Sequence, residues 1–123
     1  MCGILGWFGH HEPEDISRFE TALDLLAHRG PDDRGLIVET GLLLGHRRLS
    51  ILDLSSMGHQ PMVEPISGST LVFNGEIYNH LELRDKLEDR GHRFLGHSDT
   101  EVLLHALIAV SYTHLTLPTN REV

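Results

Sequence analysis

One cysteine in a chain of 123 residues leaves no partner for an internal disulfide, so the fold does without that crosslink, as suits a reducing compartment. Positive charge is also scarce. Ten Lys and Arg against eighteen Asp and Glu give a formal charge of −8, which argues against nucleic acid or a membrane as a partner, since both call for clustered positive charge. No apolar run approaches the roughly 18 residues of a membrane span. The apolar start is too short for a secretory signal and has no basic flank, so the expected localisation is cytoplasmic. No Gly-rich phosphate loop occurs, and ATP-dependent synthesis is therefore not expected of this chain alone. Histidine is the one residue type in plenty. Its ten copies are scattered, with His10, His11, His92 and His97 in polar, loop-like stretches, and no pair has a spacing tied to a second Cys/His pair, so no metal site is expected. What remains is ordinary for a globular domain with one modest core: 40% hydrophobic and 23% charged residues.

The pattern along the chain alternates between strand and helix signals. Ile4 to Phe8 reads as a short buried strand. After the polar break HHEPED, Ile16, Phe19, Leu23 and Leu26 fall at helical spacing, and Gly30 with Pro31 stops that helix. Leu36 to Glu39 and Leu42 to Gly45 form a hairpin-like pair around Thr40 and Gly41. Residues 50–69 read as irregular, punctuated by Gly58, Pro61, Pro65 and Gly68, and Leu71 to Phe73 as a strand. Asn79 to Arg90 is the clearest helix, with Asn79 and Glu82 spaced as a capping box; Ser98 and Glu101 repeat that spacing before Val102, Leu103, Ala106 and Leu107. From Val110 the helical period stops. Strands interleaved with three helices make the class α/β or α+β.

The chemistry begins at Cys2. Once Met1 is removed, this residue carries a thiol and a free α-amino group, a nucleophile and a base for acyl transfer. An α-amine titrates near ~7.7–8.0, so a useful fraction is unprotonated at neutral pH. The plain alternative is a small buried strand residue. Arg48 offers a bidentate fork for a carboxylate, or is one of two adjacent cations on a solvated strand end. Asn74 and Gly75 offer a side-chain amide and an approachable backbone N–H, the two parts of an oxyanion hole. Asn-Gly is also a hairpin signal, although here it runs into a helix cap and not a partner strand. Glu76 and Asp99 are carboxylates suited to an ammonium group, while an acid at position 99 also complements a helix dipole without any ligand. Spacing alone does not bring these residues together.

Six stretches occur in order: MCGI, HRGPD (His28 to Asp32), HRRLSILD (His46 to Asp53), HQP (His59 to Pro61), NGEIYNH (Asn74 to His80) and SDTEVLLHA (Ser98 to Ala106). Together they closely resemble the class II glutamine amidotransferase domain of asparagine synthetase B-type enzymes. The resemblance runs from Met1 to about Leu107. It implies an α+β fold of the N-terminal-nucleophile (Ntn) hydrolase type, with antiparallel sheets sandwiched by helices (αββα), here truncated. It implies catalytic roles for Cys2, Asn74 and Gly75, and binding of L-glutamine by Arg48 at the α-carboxylate and by Glu76 and Asp99 at the α-ammonium.

The family pattern continues past Leu107 into further strands and then a synthetase domain, to which ATP and Mg belong. On this resemblance, residues 1–109 are part of an amidotransferase domain, residues 110–123 a non-family tail, and the synthetase domain and a homodimer of the full-length enzyme the expected partners. Two alternatives stay open. One is a different N-terminal-cysteine amidohydrolase, such as an acylase of the bile-salt hydrolase type or another amidotransferase. The other is an inactive, non-catalytic fragment.

Overall fold

The computed structural model describes residues 2–50 and 56–115, with side chains through residue 111. Met1, residues 51–53 of the HRRLSILD stretch and the tail from residue 116 lie outside the described residues. Strand β1 (Gly3–Phe8), helix α1 (Pro13–Asp24) and the hairpin of β2 (Asp33–Glu39) and β3 (Leu42–Arg48) build an antiparallel sheet in the order β1-β3-β2 with one helix laid across it. Glu39 pairs with Leu42 across the Thr40–Gly41 turn, and Gly41 adopts φ 75°, the left-handed conformation that a tight hairpin asks of glycine. Phe19 and Leu23 of α1 are buried, each worth about 1.5–3 kcal/mol by apolar burial. They lie directly on β3: a Cβ at Gly45 would stand 2.9 Å from Leu23 and 3.0 Å from Phe19.

Alternation along a strand puts the Gly35–His46 pair on the opposite face from Gly45. Against that face lies a second, two-stranded antiparallel sheet of β4 (Met62–Val63) and β5 (Thr70–Leu71) with its flanking segments. His46 Nε2 donates to the Phe73 carbonyl at 3.1 Å, and Gly35 packs against the Gln60 carbonyl too closely for any side chain. Helices α2 (His80–Asp89) and α3 (Asp99–Leu115) pack against each other, with Leu87, Val102 and Leu104 buried. The architecture is α+β, with antiparallel sheets and helices.

Several elements depart from the sequence pattern for local reasons. Helix α1 starts at Pro13 and not at Ile16, because proline suits the first helical position and Asp15 Oδ2 accepts the Glu12 N–H at 2.9 Å. It ends at Asp24, and Leu26, Ala27 and Arg29 then bond three residues back in tighter turns. The Asn79–Glu82 capping box does not form: Asn79 makes no side-chain cap and sits at φ −99°, ψ 30°, away from the extended conformation a cap requires. Only half of the second box forms. Ser98 Oγ accepts the Glu101 N–H at 3.2 Å, while the Glu101 carboxylate accepts the N–H groups of Leu95 and Gly96. Helix α3 continues through Leu115, past the point where the apolar period stops, because helix propagation needs no amphipathic stripe and residues 110–115 contain neither Gly nor Pro.

Candidate active site

The carboxyl end of β3 and the amino end of β1 meet at one corner of the sheet. Gly3 pairs with Arg47, so Cys2 and Arg48 follow side by side at that corner. Cys2 is half-buried, and its Sγ accepts the Leu49 N–H at 3.3 Å and faces the Leu49 carbonyl at 3.8 Å. Its own carbonyl accepts Arg29 Nε–H at 3.0 Å. The HRGPD turn that carries Arg29 is locked in place by close packing of Gly30 on the Arg47 backbone and by the Asp32 N–H donating to the Arg48 carbonyl at 2.9 Å.

Arg48 is buried, which sets aside the solvated strand end. Gly58 packs closely against its guanidinium, and any Cβ there would collide with it. Asp99 is buried at the first residue of α3, and its Oδ2 accepts the Ile77 N–H at 2.9 Å. The acid thus ties down the NGEIYNH loop in addition to sitting at a helix start. Glu76 is exposed on that loop, Asn74 is half-buried and Gly75 is exposed.

These pieces enclose a cleft of about 390 Å³ whose wall includes Cys2, Arg48, Asn74, Gly75, Glu76 and Asp99. All six residues singled out from the sequence therefore line one space, reached from four separate stretches of chain. The volume suits a small molecule, and a buried cation and a buried anion in the same wall suit a zwitterion. Among the described residues no group of three or more His, Cys, Asp or Glu is arranged to hold a metal ion. No described helix is long and apolar enough to cross a membrane.

Sequence reasoning missed the residues that hold the site in shape. Arg29 was visible only as part of HRGPD. His46 was visible only as part of HRRLSILD; it is fully buried, its imidazole held below the ordinary value chiefly by burial, and the neutral ring donates from Nε2 to Phe73. Gln60 was visible only as part of HQP, because it carries no charge and no titratable group to single it out.

A family model described as a glutamine amidotransferase domain matches residues 1–116. Similar curated proteins include asparagine synthetase [glutamine-hydrolyzing] 3 of Bacillus subtilis (strain 168), 43% identical over an aligned length of 112 residues, with 88% of this chain and 18% of that protein covered. A probable asparagine synthetase [glutamine-hydrolyzing] of Schizosaccharomyces pombe is 45% identical over 109 residues, 85% of this chain and 19% of that protein. Amidase chyE of Penicillium rubens is 44% identical over 116 residues, 85% of this chain and 17% of that protein. The chain thus spans about a fifth of the length of the curated relatives it matches.

Proposed function

The chain belongs to the glutamine amidotransferase domain family, and on that premise we propose that it hydrolyses L-glutamine to glutamate and ammonia through a thioester on Cys2, in an N-terminal-nucleophile hydrolase type of fold. The observation that carries the reading is the composition of one cleft wall: a thiol, a buried arginine, a buried aspartate and an Asn-Gly pair around a space of amino-acid size.

In this mechanism Met1 is lost and the freed Cys2 amine takes the thiol proton. The sulfur attacks the side-chain carboxamide carbon of glutamine, forming the C–S bond and moving the carbonyl electron pair onto oxygen. Asn74 and the Gly75 N–H hold that oxyanion, which costs no reorganisation if both donors are already in place. The amine passes its proton to the leaving nitrogen, the C–N bond breaks and ammonia departs. Water then adds to the thioester, the C–S bond breaks, and glutamate and the free thiol result. Arg48 takes the α-carboxylate, and Asp99 with Glu76 takes the α-ammonium. Where such a domain is joined to a synthetase domain, the ammonia would pass to it, and ATP and Mg bound there would supply the activation of a carboxylate for amidation, in the cytoplasm. That domain and a second copy of the full-length enzyme are the proposed partners.

The test is a coupled assay for glutamate and ammonia on Met1-processed protein beside Cys2→Ala. Equal release of both products, lost in Cys2→Ala, is expected. Turnover that survives Cys2→Ala, or hydrolysis of N-acyl amides in preference to glutamine, would contradict the proposal.

A further inference from the structure

The side chain of Gln60 takes no part in those steps, yet it is only 5% exposed and lines the cleft. Both ends of its amide are engaged. Oε1 accepts the Phe73 N–H at 2.7 Å, and Nε2 donates to Thr100 Oγ1 at 3.3 Å. The Phe73 carbonyl accepts the His46 Nε2–H at 3.1 Å. Phe73 is therefore held at both of its main-chain polar groups by side chains, which is also why β5 stops at Leu71 and does not run on. Asn74 and Gly75 follow immediately. On their far side the Ile77 N–H is held by Asp99, the neighbour of Thr100. The Asn74–Gly75 turn is slung between two anchors, and both lead to the first two residues of α3. Gln60 has little latitude of its own, because its carbonyl is pressed against Gly35 on β2.

We propose that Gln60 is a positioning residue: its amide sets the placement of the Asn74 and Gly75 donors relative to Cys2 and ties that placement to the Asp99 end of the cleft. The inference rests on the amidotransferase reading above. It makes the oxyanion donors respond to whatever fixes the start of α3, including an ammonium group at Asp99. Hydrogen-bond donors displaced by an ångström lose much of their effect on a transition state while ground-state binding is little changed.

The experiment compares the parent chain with Gln60→Met, which keeps length and apolar bulk and removes both hydrogen bonds. A drop of about 10- to 100-fold in kcat for glutamine hydrolysis is expected, with KM changed by less than about 3-fold. Alkylation of Cys2 by iodoacetamide, a displacement that forms no oxyanion, is expected to stay within about 2-fold of the parent. Thr100→Val, which cuts only the link to α3, is expected to lower kcat less, and Thr100→Ser to restore it; this pair carries the test should Gln60→Met not fold. An active parent with unchanged kcat in Gln60→Met and in Thr100→Val overturns the role of Gln60 alone. Equal losses in hydrolysis and alkylation also overturn it, since they mark general damage to the site. A folded, Met1-processed parent that does not hydrolyse glutamine overturns the amidotransferase reading and this inference with it.

Discussion

Asn74 and Gly58 act on the cleft in different ways, and their substitutions separate chemistry from binding. In the proposed mechanism Asn74 is an oxyanion donor, and removing one such donor typically costs about 10²–10³ in rate, so Asn74→Ala is expected to lose that much in kcat with KM for glutamine little changed. A glutaminase rate near that of the parent would remove Asn74 from the oxyanion role. Gly58→Val places a side chain where the Arg48 guanidinium lies. The guanidinium must tilt, and the charge-assisted hydrogen bond of about 1.5–3 kcal/mol proposed between it and the glutamine α-carboxylate is then lost or weakened. The expected result is a KM raised about 10- to 100-fold with a smaller change in kcat, read from initial rates over a range of glutamine concentrations. At this scale the sequence was legible where chemistry is unusual. A thiol at position 2 and an Asn-Gly pair leading into a helix stand out by residue type, and both line the cleft. Arg29 and Gln60 do not, because their work is done through the Cys2 carbonyl and the Phe73 N–H, main-chain groups that every residue has.

Elements position these residues through close approaches of backbone to backbone. At Gly35 a Cβ would meet the carbonyl of Gln60, a contact no rotamer change relieves. Gly35→Ala is expected to destabilise the fold by about 1–3 kcal/mol or more, seen as a lower urea midpoint. A midpoint within error of the parent would mean that β2 does not bear on the Gln60 loop as described. Strand β1, helix α1 and the β2–β3 hairpin were legible because periodicity and the Thr40–Gly41 turn are local signals, but β1, read as buried, leaves Ile4, Trp7 and Phe8 exposed. The early end of β5 was not, since it depends on Gln60, which lies 13 positions before Phe73 and takes the N–H a strand partner would have used. The helix beyond Ala109 was missed because the loss of an apolar stripe was read as the end of helix, whereas backbone bonding continues to Leu115.

For the molecule as a whole, buried imidazoles set the response to acid. His46 is fully buried and His105 nearly so, and both are held below the ordinary value of 6.5, His46 chiefly by burial and His105 by burial and then by His92. The unfolded chain therefore binds these protons first as pH falls through about 6.5, and stability is lost from there down to the lower folded values. For His46 the slope in that window reaches up to about 1.4 kcal/mol per pH unit. Urea midpoints are expected to fall from pH 7 to 5.5 and to fall less in His46→Gln. Equal midpoints at the two pH values would contradict the assignment of a neutral, buried His46. What no stretch of sequence could supply at this scale is convergence: residues 2, 48, 74–76 and 99 share a cleft only because β1 pairs with β3 and the start of α3 bonds back to the Ile77 N–H.

The most direct measurement is intact and peptide mass after exposure of the folded, full chain to an electrophilic glutamine analogue, with and without excess L-glutamine. Loss of Met1, one covalent addition on Cys2 and protection by glutamine are expected. A folded chain with Met1 removed that gains no mass, or gains it at a residue other than Cys2, would contradict the amidotransferase reading.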